Sequence, residues 1–178
     1  MKSSSFTIKE SKEIPYGDQV KSFKQTFKSG AESRKMNAVK YAWIRIRNYF
    51  LFLLAYIAPS NRIRVKLNRW KGVNIADGAY IGMFVFIDNA YPEYVYIEEK
   101  ASINAGSMLI THFNPYEIHK KVLAAKVEPI LIKYGAIVAV KSIIMPGVVI
   151  GEKAIVSAAS VVFEHVEPKT LVRGNPAI

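Results

Sequence analysis

The sequence predicts a triangular β-solenoid, a fold in which short strands and corners alternate around a prism. The first observation is a period of six among branched apolar residues, at Ile132, Val138, Ile144, Ile150, Val156 and Val162. The second is a small or compact residue four positions after each of the first five, at Ala136, Ser142, Val148, Ala154 and Ser160. This period is neither the 3.6 of a helix nor the 2 of a strand. It is typical of hexads that each form one strand and one corner, with three hexads in each coil.

Composition limits the class of protein. A chain of 178 residues corresponds to about one domain. Its apolar content of 51% is sufficient for a sizeable core and argues against global disorder. There is no cysteine, which excludes disulfides, thiolate metal sites and a cysteine nucleophile. Because the first twenty residues contain no apolar core of a secretory signal, we expect a cytoplasmic protein.

The positive charge is concentrated in the N-terminal part of the chain. Residues 1–71 contain 16 Lys and Arg against 4 Asp and Glu, whereas residues 72–178 contain 9 against 10. The expected prism is therefore nearly neutral, which argues against a nucleic-acid-binding face. A basic segment beside an apolar run indicates binding to an anionic membrane surface at least as strongly as it indicates binding to nucleic acid.

Three regions are expected: a polar basic arm at 1–35, a basic and apolar helical segment at 36–71, and the solenoid at 72–178. We interpret the arm as a partly ordered tail with a short helix near Gln19–Phe27.

A longer helix is predicted from Lys35 to Ala58, where Pro59 stops it. Its unbroken apolar run, residues 49–58, is shorter than the ~20 residues that span a bilayer. Two interpretations stay open. The helix packs on the first coil and on neighbouring subunits, or residues 41–69 lie in the interface at the inner face of a membrane with their basic side chains towards headgroups.

The solenoid is predicted to begin near Gly72. Its first inward residues are Ile75, Ile81, Ile87, Ile97, Ile103 and Leu109. With the regular stretch they make twelve hexads, or about four coils, and about three repeats are needed to bury such a core.

Two interruptions and a cap complete the prediction. A bulge is expected around Asn89–Pro92, and a long extended loop precedes Ile132, with a short helix from about Tyr116 to Ala125. After Val162 the chain should form a short cap that covers the strand edges of the last coil.

Functional residues are expected at the interruptions, because an outward loop does not disturb the core. Two of the three histidines, His112 and His119, lie in the long loop, and His165 lies in the cap. His112 stands three residues after Leu109, so a rigid wall anchors it. It is the strongest candidate, although a lone histidine is often structural.

The chain resembles the hexapeptide-repeat acyltransferases, and most of all the branch of maltose, galactoside, nodulation and surface-polysaccharide O-acetyltransferases. The similarity covers residues 72–178. The segments that carry it are Asp88–Glu93, Leu109–His112, Ile144–Gly151 and Gly174–Ala177, together with the hexads.

This resemblance implies a left-handed parallel β-helix that forms a homotrimer with sites between subunits. It implies an acetyl-CoA-dependent O-acetyltransferase whose acceptor is a sugar hydroxyl of a glycan or glycolipid, with acetyl-CoA as co-substrate and no metal. His112 corresponds to the general base, which takes the hydroxyl proton during attack on the thioester, so no covalent intermediate is needed.

The resemblance also implies binding residues. Asp88, Asn89 and Asn114 correspond to the acceptor region. The small-residue positions that correspond to the coenzyme wall are Ala139, Val140, Ala158 and Ala159, and the candidates for its phosphates are Lys169 and Arg173.

Departures from the family pattern define alternative functions. Several hexads lack the usual corner glycine, and Phe163-Glu164 replaces a frequent Thr-Lys, so a carboxylate would repel a coenzyme phosphate. These features favour a catalytically degenerate solenoid that serves as an assembly or membrane-associated scaffold. A zinc carbonic anhydrase of the same fold uses three histidines, the last two about five residues apart. The three histidines here are 7 and then 46 residues apart, which argues against that class.

Overall fold

A computed structural model describes residues 6–16 and 35–178 of the protein. The short helix expected near Gln19–Phe27 lies outside these residues.

Two helices precede the solenoid. Helix α1 (Ala38–Ile57) begins at Asn37, whose side chain accepts a hydrogen bond from the Val39 N–H at 2.8 Å. Helix α2 (Asn61–Lys71) ends at Gly72, which has a left-handed φ of 112°. The predicted helix therefore forms, and a second helix packs against it. Among the residues described, no helix combines the length and apolar content needed to cross a bilayer.

Three parallel sheets form the sides of the prism, and their strands are two or three residues long. The first contains β2 (Asn74–Ile75), β5 (Val95–Ile97), β10 (Ile130–Ile132) and β13 (Val149–Ile150). The second contains β3 (Tyr80–Ile81), β6 (Ser102–Ile103), β11 (Ile137–Val138), β14 (Ile155–Val156) and β16 (Leu171–Val172). The third contains β4 (Phe86–Ile87), β7 (Met108–Leu109), β12 (Ile143–Ile144) and β15 (Val161–Val162). Neighbouring strands in each sheet come from successive coils.

The period of six correctly predicts the core. All twelve inward residues are buried, and nine of them have no exposed surface. The least covered is Ile75 in the first coil, at 6% exposed. Burial of one branched side chain per hexad, repeated along the axis, supplies the main driving force for this fold.

Helix α2 stands in for the coil that would precede the first one. In each later coil, the carbonyl of an inward residue accepts a hydrogen bond from the coil before it. The first coil has no such neighbour, and three basic side chains of α2 take its place. Arg69 donates to the Ile75 carbonyl at 3.0 Å, Arg64 to that of Ile81 at 2.6 Å, and Lys71 to that of Ile87 at 2.7 Å. Part of the basic character of this segment is therefore structural.

The corners do not depend on a glycine directly after the inward residue, which several hexads lack. Positive φ instead occurs three residues after the inward residue. It is adopted there by glycine, as at Gly147, and also by Lys100, Lys141 and Lys153. Where glycine does follow the inward residue, it permits close approach of the backbone of the next coil. A Cβ on Gly82 would lie 2.6 Å from the Ala105 nitrogen.

The predicted C-terminal cap is a partial fifth coil. Val166 forms a parallel bridge with Ile150, and β16 extends the second sheet beyond β14. This arrangement covers the edges of the last complete coil.

The long loop contains strands rather than the expected helix. Only a 3₁₀ turn, Glu117–His119, forms within the predicted helix from Tyr116 to Ala125. The loop folds back as the antiparallel pair β8 (His112–Phe113) and β9 (Lys126–Val127). On the other side of β9 lies β1 (Lys12–Glu13), which comes from the N-terminal arm. The arm is therefore held against the loop at this point.

Candidate active site

Asp88 and His112 meet at one corner of the prism. Asp88 follows β4 and His112 begins β8, three residues after the inward Leu109 of β7. Strands β4 and β7 are paired with Ile87 opposite Leu109. The two side chains thus leave the same corner on successive coils, which is why they come together.

The Asp88 carboxylate is enclosed by hydrogen-bond donors. Its Oδ2 lies 2.5 Å from Nδ1 of His112 and also accepts from the Thr111 N–H at 3.0 Å and the Thr111 hydroxyl at 2.7 Å. Its Oδ1 accepts from the N–H groups of Ala90 at 2.8 Å and Tyr91 at 3.4 Å. Both oxygens are therefore used within the chain, and the residue is only 2% exposed.

This environment keeps Asp88 ionised. Burial raises the pKa of the carboxyl, but the hydrogen bond and charge of His112 and the two hydrogen bonds from Thr111 together lower the pKa to about 2. An ionised carboxylate only accepts hydrogen bonds, so Nδ1 of a neutral His112 must carry the proton. The free lone pair of the imidazole then lies on Nε2.

His112 combines support with access. Its side chain is 28% exposed, and its ring packs edge-to-face on Tyr91 with 5.3 Å between centroids. Tyr91 in turn packs on a small apolar cluster formed by Ile14, Tyr94, Ala125 and Val127. The ring is thus oriented by Asp88 and Tyr91 while one edge stays accessible, as a general base requires.

Lys71 is a buried amine beside this corner. Its Nζ lies over the Phe52 ring, 5.6 Å from the centroid, and the residue is 2% exposed. Burial lowers the pKa of Lys71 to about 7, although the nearby Asp88 charge raises it. The folded chain therefore carries a cation in a poorly solvated place near neutral pH and below.

We expect Lys71→Met to stabilise the protein at pH 6 by about 2 kcal/mol. The variant no longer buries a charged ammonium, and this gain exceeds the cost of losing the hydrogen bond to the Ile87 carbonyl. Between pH 7 and 10.5 the unfolded chain holds a proton on Lys71 that the folded chain has lost. Stability of the parent protein therefore rises with pH across this window, and the advantage of the variant should disappear. Urea unfolding at pH 6, 8 and 10 measures this; a pH-independent difference, or the same pattern in the exposed Lys121→Met, would contradict it.

The predicted coenzyme residues lie together at a different corner. Ala139 and Val140 follow β11, and Ala158 and Ala159 follow β14 on the next coil. The two turns are stacked, because the Ala159 N–H donates to the Val140 carbonyl at 2.9 Å. The third sheet separates this corner from the corner that carries His112. Within one chain the two sets of residues are therefore not in contact.

The candidate phosphate-binding residues lie on the partial fifth coil. Lys169 and Arg173 are both exposed, at two separate corners. Phe163 and Glu164 are also exposed and follow β15, at the corner of His112 but two coils further on. Glu164 thus lies neither beside the stacked alanines nor in the turn of Lys169 or of Arg173.

The predicted acceptor residues are placed unequally. Asp88 is buried beneath His112 and offers no exposed oxygen. Asn114 is exposed on the loop after β8. Asn89 is partly buried; its carbonyl accepts from Arg45 at 3.0 Å, and its side-chain Oδ1 is buried without a hydrogen-bond partner.

The other two histidines are separate from this site. His119 is exposed on the 3₁₀ turn, and Nδ1 of His165 accepts from the Val149 N–H at 3.1 Å. Within residues 6–16 and 35–178, no three His, Asp or Glu side chains are grouped so that they could hold a metal ion.

Sequence reasoning did not identify Thr111, Tyr91 and Lys71 as parts of the corner. Thr111 and Tyr91 lie inside the segments that carry the family resemblance, so their proximity to His112 and Asp88 in sequence was the available signal. Lys71 had no such signal, because its burial depends on how α2 seats on the first coil.

Comparison with known proteins gives matches among structures alone. The sequence matches no protein-family model, and a search of curated proteins also finds no significant match. A hexapeptide-repeat acetyltransferase of Vibrio cholerae, solved with acetyl coenzyme A, matches with a TM-score of 0.63 at 24% identity. The match covers 78% of this chain and 86% of that one.

Two sugar acetyltransferases match in the same way. A maltose O-acetyltransferase of Clostridium difficile gives a TM-score of 0.60 at 17% identity, with 77% of this chain and 84% of that one covered. A galactoside acetyltransferase in complex with coenzyme A gives a TM-score of 0.55 at 18% identity, with 77% of this chain and 79% of that one covered. The chain therefore has the left-handed β-helix fold of the solved hexapeptide-repeat acetyltransferases, as its sequence predicts.

Proposed function

We propose that the protein is an acetyl-CoA-dependent O-acetyltransferase that acts on a sugar hydroxyl of a glycan or glycolipid. The observation that carries this proposal is the pairing of Asp88 with His112 at an interruption of the solenoid. A buried ionised carboxylate that fixes a partly exposed imidazole is a common arrangement for a general base. The fold shared with acetyltransferases supports the reaction class.

In the proposed reaction, Nε2 of His112 accepts the proton of the acceptor hydroxyl while the hydroxyl oxygen attacks the thioester carbonyl carbon. Asp88 holds the proton on Nδ1 and stabilises the imidazolium that forms. The thiolate of the coenzyme leaves and takes up the proton from His112. No covalent acetyl-enzyme is needed. We assign Asp88 to positioning rather than to acceptor binding, because its oxygens are already engaged.

We further propose that the complete site forms between chains of a homotrimer. The separation of His112 from the stacked turns of Ala139–Val140 and Ala158–Ala159 supports this arrangement. With three prisms side by side, the His112 corner of one chain can face the alanine-lined corner of its neighbour. The small side chains there would let the pantetheine arm approach the backbone, with Lys169 and Arg173 as candidates for the phosphates.

The carbohydrate acceptor is supported by the names of the structural neighbours. These act on maltose, galactosides and, in one further match with a TM-score of 0.52 at 24% identity, polysialic acid. Asn114, exposed on the loop after His112, is the first proposed acceptor contact. Asn89, on the bulge, is the second, as a donor only, because its Oδ1 is buried. Amide side chains can both donate to and accept from sugar hydroxyls.

We expect acetyl-CoA and CoA to raise the melting temperature. A ligand at 100 times its Kd stabilises the folded state by about 2.7 kcal/mol, which corresponds to about 5–10 °C for a chain of this size. Differential scanning fluorimetry at millimolar ligand, with ATP as the control ligand, measures the shift.

Ala158→Trp should remove this shift by blocking the proposed coenzyme wall. The control is Val122→Trp, a 90% exposed loop residue with no proposed contact to the coenzyme, and it should retain the shift. If the parent protein shows no shift with either coenzyme, the acyltransferase proposal fails. The alternative of a degenerate scaffold, which the exposed Phe163-Glu164 favours, would then be preferred.

A further inference from the structure

Helix α1 has two different faces. One face packs on the first coil: Phe52 contacts Phe86 and Tyr56 contacts Phe84, with ring centroids 5.6 and 5.4 Å apart. Asn48 and Ala55 are buried on the same side. This face attaches the helix to the prism.

The opposite face is apolar and exposed. Its large residues range from 40% to 78% exposed and are Val39, Trp43, Ile46, Tyr49, Phe50, Leu53, Leu54 and Ile57. At 100° per residue they span an arc of about 140° around the helix. An apolar arc of this width is typical of a helix face buried against a partner. Nothing in the described part of the chain covers it.

The charge of the helical hairpin indicates the kind of partner. Between Ala38 and Lys71 there is no Asp or Glu. Arg64 and Lys71 are buried and cap the first coil, so the expectation that Arg64 faces headgroups is wrong. Arg69 also caps this coil, but its side chain stays 39% exposed. Four other cations of the hairpin are exposed, at Lys40, Arg47, Arg62 and Lys66. The exposed surface is therefore apolar and cationic together.

A cleft between α2 and the first coil adds to this surface. It measures about 620 Å³ and is lined by Arg62, Lys66, Arg69 and Trp70 among others. Its one carboxylate, Asp77, is paired with Arg69 at 2.7 Å. Trp70 is 57% exposed and lies under the Lys66 ammonium, 4.9 Å from the ring centroid. Such a cleft suits an anionic phosphate group beside an apolar phase.

We propose that α1 and α2 dock the protein on an anionic phospholipid surface. The apolar arc of α1 enters the boundary between headgroups and acyl chains, and the exposed cations contact lipid phosphates. A second copy of the chain would match the apolar arc but would bring cations against cations. A lipid surface satisfies both features. The proposal is independent of the acetyl-transfer reaction.

Flotation of the full-length protein with vesicles tests this. Vesicles of phosphatidylcholine containing about 30% phosphatidylglycerol should bind it at least tenfold more strongly than pure phosphatidylcholine, and less so at high salt. The double variant Phe50→Ser/Leu54→Ser should lose most of this binding. The control is Ile118→Ser/Val122→Ser, which removes two even more exposed apolar residues from the loop and should bind as the parent does.

A charge variant separates the two contributions. Arg62→Glu/Lys66→Glu should abolish the preference for anionic vesicles, whereas Lys121→Glu in the loop should not. Circular dichroism confirms folding of each variant. Equal binding of the parent to both vesicle types, or no binding, would overturn the proposal. So would an unchanged affinity of the α1 variant, or a lower oligomeric state of that variant without lipid, since the face would then be a subunit contact.

Discussion

Replacement of His112 by alanine is expected to lower kcat for acetyl transfer by about 10²–10⁴ without affecting coenzyme binding. The acceptor hydroxyl would lose the base that takes its proton, while every residue of the proposed coenzyme wall, which a neighbouring chain supplies, is unchanged. Release of CoA in the presence of a panel of sugars measures the rate. The thermal shift with CoA measures binding in the same sample.

Two further variants make the His112 result interpretable. In His112→Asn the amide can still donate to Asp88, so the corner keeps its hydrogen bond but has no base. Its activity should be as low as that of His112→Ala. His119→Ala, in the exposed 3₁₀ turn, should retain the parent rate. If His112→Asn kept more than a tenth of the activity, the base would have to be another group.

Substitution of Asp88 by asparagine should damage both activity and stability. Five donors converge on its two oxygens, so an amide NH₂ must face donors on one side whichever way it is turned. We expect a loss of about 2–4 kcal/mol in the free energy of unfolding. Placed against His112, the NH₂ would also favour the proton on Nε2, the wrong tautomer for a base. The rate should therefore fall at least a hundredfold.

The stability cost of Asp88→Asn should depend on pH in one direction. The folded pKa of about 2 is below the ordinary 3.8, so ionised Asp88 stabilises the fold above pH 4 and loses this contribution as pH falls towards 2. The gap between parent and variant, measured by urea unfolding, should narrow over that range. Asp77→Asn, an exposed carboxylate, is the control. A gap that stays constant down to pH 2 would contradict the ionised hydrogen-bond network.

The repeat was predictable because each hexad satisfies a local rule that the prism repeats. Ile97, Ile103 and Leu109 face inward for the same reason as Ile132, and their order in sequence is their order in the core. The corners were harder to predict, because the left-handed φ is adopted by lysines such as Lys141, a residue type that does not indicate this conformation. The structure there is fixed by the strands on either side.

The loop was not predictable, because its structure depends on distant partners. Ile118 and Val122 have the spacing of a helix, but they are 84% and 90% exposed, so no surface stabilises one. The loop pairs with itself and with β1 instead. His112 could be selected from its position after Leu109, whereas the burial of Asp88 by Thr111, Ala90 and Tyr91 required coordinates.

The outermost strand of the loop sheet has a consequence for the order of assembly during synthesis. Strand β1 is made early, but its partner β9 is translated on the order of 100 residues later. A further link, from the Tyr16 hydroxyl to the Leu123 carbonyl, joins positions 107 residues apart. The first coils can form before β9 is available to pair with β1. The apolar cluster that steadies Tyr91 beside His112 includes Ile14, so this corner should be among the last parts of the molecule to become rigid.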